Sequence, residues 1–251
     1  MQDIFSLFTP SAWILIIMAS FMSGLSKGGL RGIDMLGVTL MALVFGGKSS
    51  TGIVLPLLCI ADIAAVIYYH RHAQWNHFWK LIPWMAIGII VGVFIGKDMN
   101  ESVFRKVMAV IILVTIAIVL FMEYRKSQSV PTHPLFAVTT GLSAGFTTMI
   151  GNLAGAFSNL YFLAMRLPKN HFIGTASWIF LVMNWFKMPF QIFYWKNITS
   201  QSLKVDLILI PSLLIGFFIG VKLVGKIKEE SYRKMVMALT LIGSIVMLLR
   251  R

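Results

Sequence analysis

The sequence predicts an all-α, polytopic membrane protein of two duplicated units, with about eight transmembrane helices and a broken or re-entrant helix pair opening each unit. Composition is the first reason: 58% of the 251 residues are hydrophobic and 12% are charged, whereas soluble domains are nearly half apolar and about a quarter charged. The second reason is a succession of apolar runs separated by short polar or basic connectors. The third is the ordered recurrence of first-half residues in the second half. The apolar runs cover 10–26, 33–47, 52–69, 81–96, 103–122, 134–165, 171–195, 205–224 and 232–249.

The basic charge of the chain is explained by lipid. A net charge of +13 would suggest a nucleic-acid partner in a soluble protein. Here most Lys and Arg residues lie in the connectors, where anionic headgroups account for them. We therefore expect membrane lipids as partners and no nucleic acid.

Two of the apolar stretches are predicted to break. The stretch 134–165 has 32 residues and no formal charge. As one helix it would extend about 48 Å, which is too long for one crossing and too short for two. Glycines interrupt it, and glycines also interrupt 10–47, so each half should begin with a broken or re-entrant helix pair. The interrupting glycines are Gly24, Gly28, Gly29 and Gly32 in the first stretch and Gly141, Gly145, Gly151 and Gly155 in the second.

Internal repetition divides the chain into two units. Six residues of the first half have a like residue 128 positions later, and the tripeptide at 24–26 recurs 117 positions later at 141–143. An ordered series of this kind indicates duplication. The predicted units are 1–126 and 127–251. The six are Pro83, Gly88, Gly92, Phe104, Arg105 and Lys106, recurring as Pro211, Gly216, Gly220, Tyr232, Arg233 and Lys234.

The first predicted break carries two cations. Lys27 and Arg31 are one helical turn apart in a glycine-rich segment, and ionisable residues within a membrane are default functional candidates. Backbone N–H groups freed at Gly28 and Gly29 would add to the attraction for an anion. The alternative is that both cations reach a headgroup layer and the glycines serve close helix packing.

The second break offers hydrogen-bonding groups in place of charge. At the offset of 117, Lys27 matches Ala144 and Arg31 matches Thr148. Candidate ligands there are Thr147, Thr148 and Asn152. Interhelical polar contacts are the alternative role for each of them.

Two further charges lie inside apolar runs. Lys187 stands near Pro189, where the helix should kink, and is a candidate second-half cation. Asp62 lies deep in an otherwise apolar run. It would pair with a site cation or carry a coupling proton, and a structural ion pair is the alternative.

The sequence lacks the residue patterns of metal sites and of common enzyme classes. His70, His72 and His77 surround one connector, but no third ligand of fixed geometry joins the first two, so no metal is expected. The sequence contains no Walker A loop, nucleophile elbow or zincin motif. We therefore expect no cofactor and no enzyme activity, with transport driven by a gradient or a partner.

The chain resembles the TauE/SafE sulfite-exporter family from about residue 21 to residue 249. The resemblance is carried by GLSKGGLRG at 24–32, STGIVLPLL at 50–58 with Ala61 and Asp62, GFTTMI at 145–150, YFLAMRLPK at 161–169 with FIGT at 172–175, and NWFKMPF at 184–190. One departure is Ala156, where family members often have proline after a small-residue run.

The resemblance implies a fold of duplicated four-helix units and secondary active transport of sulfite, organosulfonates or related small anions. By the same resemblance, functional positions fall on Lys27, Arg31, Asn152, Thr175, Asn184 and Lys187. We expect alternating access between the halves, coupled to protons or membrane potential, in a bacterial inner membrane, and the sequence leaves a homodimer open. The alternative functions are a passive anion channel and a membrane subunit that assists a partner enzyme.

Overall fold

The computed structural model describes residues 8–125 and 133–249, and the regular structure in those ranges is helical. Ten α-helices follow one another there. They are α1 (Pro10–Lys27), α2 (Asp34–Phe45), α3 (Gly47–Tyr69), α4 (Trp75–Lys97), α5 (Glu101–Arg125), α6 (Pro134–Gly151), α7 (Ala154–Ala164), α8 (Lys169–Pro189), α9 (Ser200–Lys226) and α10 (Glu229–Leu249). A 3₁₀ turn (His70–His72) follows α3, and a π-helical segment (Phe190–Tyr194) follows α8.

The outside of the molecule suits hydrocarbon. Within the described part of the chain, three helical segments are long and apolar enough to cross a membrane: Gly47–His72, Trp75–Lys97 and Ser200–Lys226. Large apolar side chains cover their outer faces: Ile67 is 69% exposed and Phe218 is 63% exposed. A water-soluble protein rarely shows so much continuous apolar surface.

Helices α1 and α2 form a hairpin. The backbone turns through Gly29 and Gly32, whose φ angles of +122° and +100° favour glycine. Gly37 of α2 then lies against Ala19 and Ser23 of α1, so the two helices are antiparallel. Because α2 has 12 residues, it is about 18 Å long and too short to cross a bilayer. The predicted break in 10–47 is present.

Helices α6 and α7 form a second hairpin. Their link is shorter, because Asn152 ends α6 in the left-handed conformation with φ of 56°, a common way to end a helix. Near the open end of this hairpin the rings of Phe136 and Tyr161 stack at 5.8 Å. Phe8 and Phe45 contact at 5.3 Å near the open end of the first hairpin.

The two halves are interleaved. Helix α1 packs along α9, and α4 packs along α6, with α3 and α8 in contact between them. Glycines allow the first two contacts: a Cβ atom at Gly24 would collide with the carbonyl of Leu213, and one at Gly88 would collide with the carbonyl of Leu142. Backbone therefore packs directly on backbone across the halves, and this holds the hairpin tips in the interior.

Candidate functional site

A polar cavity lies where the tips of the two hairpins meet helices α3 and α8. Both breaks contribute side chains to it, although most of the surrounding core is apolar. Ligand sites are typically concave and largely apolar, with a few polar groups that converge on the ligand. The cavity is lined by Ser23, Lys27, Arg31, Asp34, Val38, Leu58, Thr148, Asn152, Ala154, Gly155, Phe180 and Asn184.

Lys27 is held by a buried carboxylate. Its Nζ donates to Asp62 Oδ1 at 2.6 Å, and Asn184 Nδ2 donates to Asp62 Oδ2 at 2.5 Å. The Asp62 side chain has no exposed surface. A buried charge requires such partners, and they leave Asp62 between the cavity cation and the central helix α8.

Arg31 is buried with much of its hydrogen-bonding capacity unused. Its exposed fraction is 2%, and its Nη2 donates to Ser177 Oγ at 3.2 Å. Its Nε has no partner among the described residues, and no described carboxylate forms an ion pair with it. A guanidinium has five N–H donors that match an oxyanion. Arg31 therefore offers positive charge and free donors to a ligand in the cavity.

Phe180 lies beneath both cations. The Lys27 Nζ is 4.5 Å from the centre of the Phe180 ring, and the Arg31 Cζ is 5.1 Å from it. The negative face of an aromatic ring attracts cations without hydrogen-bonding them. Phe180 therefore holds the two charges together and leaves their donors available.

Lys187 donates hydrogen bonds to the tip of the second hairpin. Its Nζ donates to the carbonyl and the hydroxyl of Thr148, both at 3.0 Å, and to Asn152 Oδ1 at 2.5 Å. An ammonium has three donors, so all three are occupied. The Thr148 carbonyl belongs to the last turn of α6, where a cation is favoured by the helix dipole. Lys187 therefore fixes the second break from behind the cavity.

A second carboxylate, Asp34, lies in the cavity at the first turn of α2. Its Oδ1 accepts a hydrogen bond from the Gly32 N–H at 3.0 Å. Its Oδ2 lies so close to Gly155 that a Cβ atom there would approach it to 2.5 Å. Asp34 therefore joins the tip of the first hairpin to the start of α7, at a helix end that favours negative charge.

The predicted site residues divide into two groups. Five of them line the cavity, and Asp62 and Lys187 hydrogen-bond to members of that five. The five are Lys27, Arg31, Thr148, Asn152 and Asn184.

The other predicted ligands lie away from the cavity walls. Thr175 Oγ1 accepts from the Gln74 N–H at 2.9 Å, at the start of α4. Thr147 Oγ1 donates to backbone carbonyls on either side of the second break, at 3.3 Å. The carbonyls of Gly28 and Gly29 accept from Tyr69 and Tyr232 hydroxyls at 2.8 and 2.9 Å. These four residues form hydrogen bonds within the protein, at the two helix breaks and at the connector before α4.

Ser177 and Phe180 were not identified from the sequence. With Asn184 and Lys187 they recur at helical spacing on α8, so one face of α8 carries all four. That spacing was an available signal. Asp34 closely follows the glycine segment of the first break, and that position could also have indicated a role in the site.

Charged side chains that converge between broken helices, inside an apolar surface, are typical of membrane transporters. The family model "Sulfite exporter TauE/SafE" matches residues 12–247, and the chain belongs to that family, a family of membrane transporters. The predicted membership and the predicted all-helical membrane protein are thereby confirmed. No curated protein and no solved structure gives a significant match to the chain.

Proposed function

We propose that this protein is a secondary transporter of small anions, with sulfite and organosulfonates as the leading substrates, and that the anion binds in the cavity beside Arg31. The observation that carries the proposal is the buried Arg31 guanidinium, which lines the cavity and has an unused Nε donor. Leaving such a cation without a counter-anion is costly. An oxyanion would supply the missing acceptors.

The remaining ligands follow from the cavity walls. Lys27 adds a second positive charge over the Phe180 ring, while Thr148, Asn152 and Asn184 carry hydroxyl and amide groups able to bind sulfur-bound oxygens. Lys187 acts indirectly, by holding Thr148 and Asn152 in place. This assignment narrows the predicted ligand set to side chains that reach the cavity.

We assign coupling to Asp62. In the resting state it holds Lys27 in an ion pair of 2.6 Å. Protonation of Asp62 would break that pair and release Lys27 to the anion, so that a proton and an anion would bind together. Membrane potential is the alternative driving force for a charged substrate.

The packing supports two inverted repeats and alternating access between them. Helix α1 runs beside α9 as α6 runs beside α4. At the start of α3, Lys48 donates to the Lys97 carbonyl at the end of α4; at the start of α8, Lys169 donates to the Val224 carbonyl at the end of α9. The matching contacts relate the first five helices to the last five. Inverted repeats with a midplane site are a common transporter design.

The sequence predicts about eight transmembrane helices, with a broken or re-entrant pair opening each unit. In this proposal the chain has six crossing helices and two re-entrant hairpins. Each unit would contribute three crossings, α3–α5 and α8–α10. An odd number of crossings per unit makes the second unit enter from the opposite face. The two hairpins would then enter from opposite faces and meet at the cavity.

Arg31→Gln tests the proposed site. The glutamine amide retains a donor but lacks the charge, so we expect uptake of sulfite and methanesulfonate into proteoliposomes to fall at least about tenfold, because a charge-assisted hydrogen bond is lost. Arg71→Gln is the matched control, since Arg71 lies exposed in a connector. Unchanged uptake by folded Arg31→Gln protein would contradict the site.

A further inference from the structure

The charges around the cavity do not cancel. Three cations either line it or hydrogen-bond to its walls, Lys27, Arg31 and Lys187. Two carboxylates do so, Asp34 and Asp62. Three positive charges against two negative charges leave a surplus of one, in a place where water cannot easily screen it.

We infer that the substrate is a monoanion, and that Asp34 is the residue that discriminates against dianions. This inference rests on the proposed function, because it concerns the charge of the anion bound there. A monoanion brings the buried site to neutrality. A dianion leaves one uncompensated negative charge in a low-dielectric interior, which is strongly unfavourable.

Asp34 is the carboxylate that determines the net charge available to the substrate. Asp62 is committed to Lys27 and Asn184, whereas Asp34 forms no ion pair with a described cation and faces the cavity directly. Its hydrogen bond from the Gly32 N–H involves one oxygen. An asparagine retains an oxygen for that bond, so the turn can persist while the charge is removed.

The favoured substrates are therefore organosulfonates and bisulfite. A sulfonate with no second ionisable group, such as methanesulfonate, carries one negative charge throughout the accessible pH range. Sulfite carries one charge after taking up a proton and two after losing it, so it would enter the site as bisulfite. Sulfate, which has a similar tetrahedral shape and two charges, is disfavoured.

The test is a thermal-shift comparison of methanesulfonate and sulfate at constant ionic strength, on detergent-solubilised protein. A ligand that binds the folded state alone stabilises it by an amount that grows with the logarithm of the ligand concentration relative to Kd. Both anions are measured at the same near-neutral pH, at which each carries its full charge. We expect the wild-type protein to bind methanesulfonate at least about tenfold more tightly than sulfate, because one unit charge at close range is worth at least that factor.

Asp34→Asn should raise the positive surplus to two and shift the preference toward sulfate by at least about tenfold. Asp34→Glu, which keeps the charge, should retain the wild-type preference. Asp98→Asn makes the same chemical change at an exposed position at the end of α4 and should leave the preference unchanged.

The outcomes separate the two proposals. Binding of neither anion by the wild-type protein would contradict the proposed anion site itself. Equal or tighter binding of sulfate by the wild type would overturn the monoanion inference and leave the site standing. An unchanged preference in folded Asp34→Asn would remove Asp34 as the discriminating residue; if that variant does not fold, the wild-type and Asp34→Glu preferences still decide the inference.

Discussion

At the residue scale, Lys27 and Arg31 share one aromatic ring but differ in their partners. Lys27 is neutralised by Asp62, whereas Arg31 has a serine hydroxyl. In the proposed mechanism Arg31 would therefore attract the anion at all times, and Lys27 would become available when its carboxylate is neutralised. In this proposal the Lys27–Asp62 pair couples proton uptake to anion binding.

Asp62→Asn tests this coupling. The neutral amide leaves Lys27 permanently free, so we expect anion binding to persist or tighten. Uptake should no longer increase when the substrate side is acidified, because no group remains to take up the coupling proton. The measurement is proteoliposome uptake with and without an inward proton gradient, compared with Asp98→Asn. Uptake by Asp62→Asn that still follows the gradient would contradict the coupling role.

Candidate functional residues could be predicted from the sequence where a charged side chain occurs in apolar surroundings. Asp62 lies within an apolar run, and Lys27 and Arg31 lie in the glycine-rich break between two such runs; charges are costly at such places in a membrane, and that cost indicates function. The partners were not readable, because Asp62 and Asn184 are 122 positions apart and only the packing of α3 on α8 brings them together. For the same reason Lys187 was predicted as a ligand, whereas its donors serve the second break.

At the element scale, the hairpins depend on close helix contacts made by glycine. Gly88 of α4 lies against the Leu142 carbonyl of α6, and Gly216 of α9 lies against the Phe21 carbonyl of α1. Small residues permit such approach in membranes, where packing replaces the hydrophobic effect as the driving force. These contacts fix the depth of each hairpin tip.

Gly88→Ala should destabilise the protein, because its Cβ would collide with backbone that cannot move aside. Overpacking typically costs about 1–3 kcal/mol, and we expect a lower melting temperature in detergent. Gly225→Ala is the matched control: Gly225 is in helix α9 and a Cβ there meets no atom within 4 Å. That variant should be neutral or slightly stabilising. Equal melting temperatures for Gly88→Ala and the wild type would contradict the close contact.

Under the proposed duplication, the helix contacts give an offset between the two units that differs from 117. Phe21 and Leu142, the partners of the equivalent glycines Gly216 and Gly88, are 121 positions apart, not 117. The difference is one helical turn. Glycines four residues apart recur in both stretches, so sequence alone could not distinguish the two registers.

At an offset of 121, the counterpart of Lys27 is Thr148 and the counterpart of Arg31 is Asn152. Both counterparts line the same cavity as the cations they match. The two hairpin tips thus present charge from one side and hydroxyl and amide groups from the other.

At the scale of the whole molecule, a small group of buried charged and polar side chains lies in a mostly apolar core, where the two interleaved halves meet. Apolar composition and the glycine breaks predicted the membrane class and the helix hairpins. The interleaving could not be predicted, because α1 with α9 and α4 with α6 are contacts between distant segments. Such an arrangement suits a carrier, in which one half moves against the other around a fixed site.

Solute counterflow in proteoliposomes tests that account most directly. Vesicles loaded with unlabelled methanesulfonate and diluted into labelled methanesulfonate should accumulate the label transiently above equilibrium, because a carrier exchanges one bound anion for another. Arg31→Gln should abolish the overshoot, and Arg71→Gln should retain it. Uptake that approaches equilibrium without an overshoot and rises without saturation would indicate a passive channel and contradict the account.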